Sequence, residues 1–207
     1  MALVLPRLKQ IYPDAHCELL HDGPLQLLIA TILSAQCTDA RVNLVTPKLF
    51  AEFPDAAALA TAPLARIEQI IQSTGFFRSK ARHIRDCCRA LVERHRGEVP
   101  ASMEALVALT GVGRKTANVV LGNAFGLNEG IVVDTHVARL SRRLGFVRSS
   151  DPIKIEQSLT RLVPRPDWTL FSHLLIWHGR RRCAARKPDC ASCELAELCP
   201  SASRLSA

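Results

Sequence analysis

The chain has 207 residues, 48% of them hydrophobic, enough to bury the core of one large domain or two small lobes. Twenty-seven Lys and Arg against nineteen Asp and Glu leave a net charge of +8, which favours an anionic partner. No apolar run reaches the ~18 residues of a membrane helix, and Met1-Ala2-Leu3-Val4-Leu5-Pro6 is too short for a secretory signal. These features argue against a membrane or secreted protein and lead us to expect an intracellular one.

In chain order the periodicity predicts helix after helix, with no strand, repeat or low-complexity segment. Leu25 to Gln36 is almost wholly apolar and is expected as the central buried helix. Thr38 is placed to cap the next helix, which Pro47 should kink or restart. Amphipathic patterns follow over Pro63 to Gln72 and Ser79 to His95, the second closed by Gly97. Ser102 to Leu109 and Arg114 to Phe125 flank a short glycine-bearing connection, and Gly126 ends the latter. Thr135 to Leu144 stops at Gly145, Asp151-Pro152 starts a helix running to Leu162, and Trp168 to His178 is the last long one. With short connections throughout, the expected fold class is all-α.

Three groups of residues carry chemistry. In Leu109-Thr110-Gly111-Val112-Gly113-Arg114-Lys115-Thr116, the Gly-x-Gly pair predicts a turn too tight for a Cβ, with outward N–H groups suited to a phosphate. Lys115 follows in the first helical turn, where the helix dipole, a desolvating site and Arg114 would favour a neutral, nucleophilic amine. Asp134, nineteen residues past Lys115, follows the apolar run Ile131-Val132-Val133 and is placed to cap a helix. The eight cysteines divide into two sets. Cys17, Cys37, Cys87 and Cys88 are scattered through helical patterns and read as buried free thiols. Cys183, Cys190, Cys193 and Cys199 are crowded together, which in an intracellular chain reads as metal binding, with zinc or an iron–sulfur cluster both compatible with four thiolates. Arg180, Arg181, Arg182, Arg186 and Lys187 surround the first of these cysteines.

The hairpin segment resembles the helix-hairpin-helix of the endonuclease III family of DNA glycosylases. Val132-Val133-Asp134-Thr135-His136-Val137-Ala138-Arg139 resembles that family's aspartate segment, Cys183-x6-Cys190-x2-Cys193-x5-Cys199 its iron–sulfur loop, and Ser34-Ala35-Gln36-Cys37-Thr38-Asp39 a lesion-probing loop. The matches run in the family's order from about residue 20 to residue 199. Two departures stand out: Thr110 occupies a position usually held by proline, and the Lys115-to-Asp134 spacing is one residue longer than is common, around Leu127-Asn128-Glu129-Gly130.

The resemblance implies a two-lobed helical fold with a DNA-binding cleft. One lobe would span 20–130 and carry the hairpin; the other would combine 1–19 with 131–207 and hold a [4Fe–4S] cluster loop. It implies a monomeric, cytoplasmic, nucleoid-associated base-excision glycosylase with AP-lyase activity, acting on oxidised pyrimidines or abasic sites in double-stranded DNA. Lys115 would be the nucleophile and Asp134 the catalytic carboxylate. Gln36 and Phe76 would fill the space left by a flipped nucleotide, with Phe77 the alternative to Phe76. Gly111, Gly113, Arg114, His136, Arg186 and Lys187 would contact DNA, and the four clustered cysteines would ligate the metal. Three alternatives stay open: an adenine-removing relative, a glycosylase for another lesion on the same scaffold, and a weakly catalytic DNA-binding paralogue.

Overall fold

The computed structural model describes residues 1–205, and every regular element among them is helical. The helices are α1 (Val4–Ile11), α2 (Pro24–Leu33), α3 (Asp39–Glu52), α4 (Ala56–Thr61), α5 (Leu64–Ile71), α6 (Phe77–His95), α7 (Met103–Val107), α8 (Arg114–Ala124), α9 (Thr135–Arg143), α10 (Pro152–Leu162), α11 (Trp168–Arg181) and α12 (Ala202–Leu205). No helix among the described residues is long and apolar enough to cross a membrane.

The chain divides into two compact units, Cys17–Leu127 and the pair of segments Met1–His16 with Asn128–Ala207. In the first, α2 is the central helix. Leu27, Leu28, Ile29, Ala30 and Leu33 are fully buried, and α2 packs against α3, α6 and α8. The short α4 lies along α6, and α5 packs on both α3 and α6. Cys87 and Cys88 are buried here, whereas Cys17 and Cys37 are half-buried at the margin of this core instead of inside it. The second unit forms its core from Leu5 and Leu8 of α1, Val137 and Leu140 of α9, Ile155 and Leu159 of α10, and Phe171, Leu174 and Leu175 of α11.

Polar side chains set several helix starts. Thr38, Asp55, Ser102, Asp134 and Asp151 each accept a backbone N–H of the first turn, a contribution of ~1 kcal/mol apiece. Three expectations are corrected. Pro47 does not interrupt α3: it sits on the exposed face, where its missing N–H leaves a carbonyl that water can reach, while Val42, Val45, Thr46 and Leu49 anchor the buried face. A helix absent from the periodicity, α4, forms on the Asp55 cap. Finally, α2 ends at Leu33, short of Gln36. Ser34 turns its hydroxyl back to the Thr31 carbonyl (2.9 Å), and Gln36 enters the left-handed region at φ 52°.

Between α7 and α8 the chain reverses in a hairpin closed by the Val112 N–H donating to the Leu109 carbonyl at 3.1 Å. Its two glycines differ. Gly111 has φ +79°, and a Cβ there would lie 2.9 Å from Cβ of His83, a position on α6 that cannot swing away. Gly113 is extended (φ −95°, ψ 174°) with nothing within 4 Å of a Cβ, so the expectation that both glycines exclude a side chain holds within the protein for Gly111 alone. Gly111→Ala should therefore destabilise the protein by about 1–3 kcal/mol through the left-handed backbone and the clash, whereas Gly113→Ala should stay within about 0.5 kcal/mol. Thermal unfolding of the two variants measures this, and equal losses would contradict it.

Candidate active site

Within the unit 17–127, three chain turns meet around one pocket of about 310 Å³, whose lining includes Gln36, Phe76, Lys80, His83, Gly111 and Thr116. Gln36 lies just past the end of α2 and is exposed. Phe76 sits immediately before α6 at φ 46° and is 66% exposed, while its neighbour Phe77 packs against the core. The pair divides the work that a run of two phenylalanines leaves ambiguous, one ring out and one in. Helix α8 begins beside this pocket. Its N-cap is Gly113, with no side chain to cap the first turn. Arg114 and Lys115 are the first two helical residues, and both are exposed. Lys115 thus stands in solvent at the N-terminal end of α8.

In the other unit, Asp134 caps α9. Its Oδ1 accepts the Val137 N–H at 2.8 Å, which fixes the carboxylate at the helix start with its second oxygen turned away from that bond. His136 is half-buried. Nη2 of Arg139 lies 3.2 Å from its Nδ1. Burial lowers the His136 pKa, with Asp134 acting in the opposite sense.

The four clustered cysteines line one cavity with Arg143 and His178. Among the described residues no three His, Cys, Asp or Glu side chains converge as the ligands of a single metal ion would. The loop is fastened to α9 by two arginines. Arg143 donates from Nη1 to Cys183 Sγ (3.1 Å) and the Ala184 carbonyl (2.7 Å), and from Nη2 to the Ala185 carbonyl (2.9 Å). Arg139 reaches the carbonyls of Gly179 (2.9 Å) and Cys183 (3.0 Å). On the other side, His178 bridges Tyr12 Oη (2.9 Å at Nδ1) and Cys193 Sγ (3.5 Å at Nε2). Burial lowers its pKa to about 4, so the ring is neutral at pH 7.

The basic run around Cys183 is not uniform. Arg182 is held by Asp189 (2.9 Å) and Glu194 (2.8 Å), and the guanidinium of Arg181 lies 3.9 Å above the Trp177 ring. Arg186 and Lys187 are exposed, and Lys187 has φ 49°. Sequence reasoning missed Lys80, His83, Arg139, Arg143 and His178. For Lys80 a signal existed: it falls in register with Ile84, Cys87, Cys88 and Leu91 on the buried face of α6. The two arginines act over some forty residues of chain, which no local pattern encodes.

A family model described as the HhH-GPD superfamily of base excision DNA repair proteins matches residues 29–165. The endonuclease III of Synechocystis sp. is 59% identical over 199 residues, covering 96% of this chain and 91% of that protein. The Escherichia coli K12 endonuclease III is 43% identical over 196 residues, covering 95% and 92%. A solved structure of a non-covalent endonuclease III–DNA complex superposes with a TM-score of 0.94 at 45% identity, covering 98% of this chain and 95% of that one, and a trapped endonuclease III–DNA covalent intermediate matches equally well. On this agreement of sequence and fold, the chain belongs to the HhH-GPD superfamily of base excision DNA repair proteins.

Proposed function

We propose that this protein is a bifunctional DNA glycosylase and AP lyase that removes oxidised pyrimidines from duplex DNA and nicks the strand at the resulting abasic site. The observation that carries this reading is the exposed amine of Lys115 in the first turn of α8, a helix whose N-terminus carries no side-chain cap. The peptide N–H groups and the dipole there suit a phosphate, and a lysine amine is the nucleophile that attack on a sugar carbon requires. Bound DNA would supply the desolvation that Lys115 lacks in the free protein. The family's base excision chemistry and the endonuclease III covalent intermediate point the same way.

In the reaction, Lys115 Nζ bonds to the sugar C1′ as the bond from C1′ to the base breaks, and the electron pair leaves with the base, which takes up a proton. The C1′–O4′ bond then opens to give a Schiff base, the amine having lost its proton. Loss of a C2′ proton expels the 3′ phosphate, and water hydrolyses the imine to release the enzyme. Asp134 would stabilise positive charge developing on the sugar and relay protons through the carboxylate oxygen not used as a cap. Gln36 and Phe76 would fill the gap left by the extruded nucleotide. Gly111, Gly113 and Arg114 at the hairpin, His136, and the exposed Arg186 and Lys187 would contact phosphates.

Cys183, Cys190, Cys193 and Cys199 would hold a [4Fe–4S] cluster. Four soft donors lining one cavity suit an iron–sulfur cluster. The Arg143 N–H directed at Cys183 Sγ would orient that sulfur as a ligand. Held by the four cysteines, such a cluster would tie together the loop that presents Arg186 and Lys187.

Two experiments test these assignments. Lys115→Ala should abolish borohydride trapping on abasic DNA while retaining binding to an abasic analogue. Asp134→Asn keeps a good N-cap and should unfold near the parental temperature but lose about a hundredfold or more in excision rate. Trapping at parental level in the first variant, or parental excision in the second, would remove the residue from the mechanism. Separately, purified protein should contain about four irons per chain and be yellow-brown in colour. One zinc and no iron would overturn the cluster assignment.

A further inference from the structure

Lys80 is charged, yet it lies on the apolar face of α6 and is only 4% exposed. An ammonium has three donors and no acceptor. Two of these donors go to main-chain carbonyls from separate parts of the chain, Leu33 O at 2.8 Å and Thr74 O at 2.8 Å. Both carbonyls end a helix: Leu33 closes α2, and Thr74 closes the 3₁₀ turn Gln72–Thr74 that precedes α6. Such terminal carbonyls lack a partner inside their own helix, and the C-terminal end of α2 is the end that attracts a cation. Burial lowers the Lys80 pKa, with Cys37 acting the other way.

The residues just beyond the two carbonyls give this contact a purpose. Three residues past Leu33 is Gln36 at φ 52°, and two past Thr74 is Phe76 at φ 46°. A non-glycine residue stays in the left-handed region only where its surroundings fix it there. The backbone of Lys80 adds a further tie, its N–H donating to the Phe76 carbonyl at 3.0 Å. Lys80, Gln36 and Phe76 line the same 310 Å³ pocket. An apolar side chain would fill the volume beneath that pocket without the desolvation cost of a charge. Meeting both carbonyls at once takes a group with at least two donors, which the ammonium supplies.

We infer that Lys80 is a positioning residue for base extrusion: its ammonium joins the Leu33 and Thr74 carbonyls at one point and so sets the separation of the Gln36 and Phe76 tips that enter the duplex. The inference rests on the gap-filling role given above to Gln36 and Phe76. Lys80 touches neither substrate nor reacting atoms; it acts through those two tips.

The test compares a substrate that needs extrusion with one that does not. Lys80→Met keeps the stem and removes the donors. Single-turnover excision of an oxidised pyrimidine from duplex DNA should fall about ten- to a hundredfold relative to borohydride trapping on an abasic site in single-stranded DNA. Normalising to that trapping counts only molecules with a working site, so partial unfolding does not imitate the effect. Lys80→Arg, which retains charge and donors, should recover most of the duplex rate. Introduced into a Gln36→Ala/Phe76→Ala protein, Lys80→Met should add little further loss. Equal loss on both substrates would reduce Lys80 to a fold-stabilising residue and overturn the inference, as would a full additional loss in the double-alanine background. If Gln36→Ala/Phe76→Ala alone excises like the parent, the gap-filling reading fails and takes the role of Lys80 with it. That arm involves no change at Lys80, so the two failures are told apart.

Discussion

An α-helix ends with peptide groups that have no partner inside it, N–H groups at one end and carbonyls at the other. In this protein the candidate functional groups stand at such ends. Lys115 follows the uncapped start of α8, and Asp134 is itself the cap of α9. Gln36 lies just past the last turn of α2, Phe76 precedes the first turn of α6, and Cys183 comes after α11. Each group therefore sits at the end of a rigid element that aims it. The energetic consequence is local. The start of α8 is left open for an anion, whereas the start of α9 is closed by the carboxylate oxygen of Asp134.

The carbonyl ends are met by cations. Lys80 gathers the ends of α2 and the 3₁₀ turn before α6, and Arg139 and Arg143 gather carbonyls from the end of α11 and the loop after it. Such charge-assisted bonds are stronger than neutral ones, and here they tie together segments distant in sequence. The positive balance of the chain is thus partly internal. Arg182 is paired with two acids and Arg181 lies over an indole, which leaves Arg186 and Lys187 as exposed cations of that loop.

Much of this was legible in the sequence because it is local. Thr38, Asp134 and Asp151 cap helices as their residue types and positions indicate, and the amphipathic stretches that became α5 and α6 carry their own period. What escaped depends on contacts made elsewhere. Pro47 stays within α3 because the opposite face of that helix is buried. The end of α2 at Leu33 is set by a hydroxyl turning back and by an ammonium forty-seven residues away. Gly113 looked constrained by analogy with Gly111, but only Gly111 faces a side chain, His83, from another helix. The burial of Lys80 is readable from its register on α6 with Ile84, Cys87, Cys88 and Leu91.

The central claim is that the amine at the start of α8 forms the covalent bond to DNA. The most direct measurement is to reduce the protein–DNA intermediate with borohydride, digest it with trypsin and locate the sugar remnant by mass spectrometry. The account predicts the remnant on Lys115, with cleavage after that residue blocked and a fragment running from Lys115 to Arg139. A remnant on the chain's N-terminal amine, or on another lysine such as the buried Lys80, would contradict it.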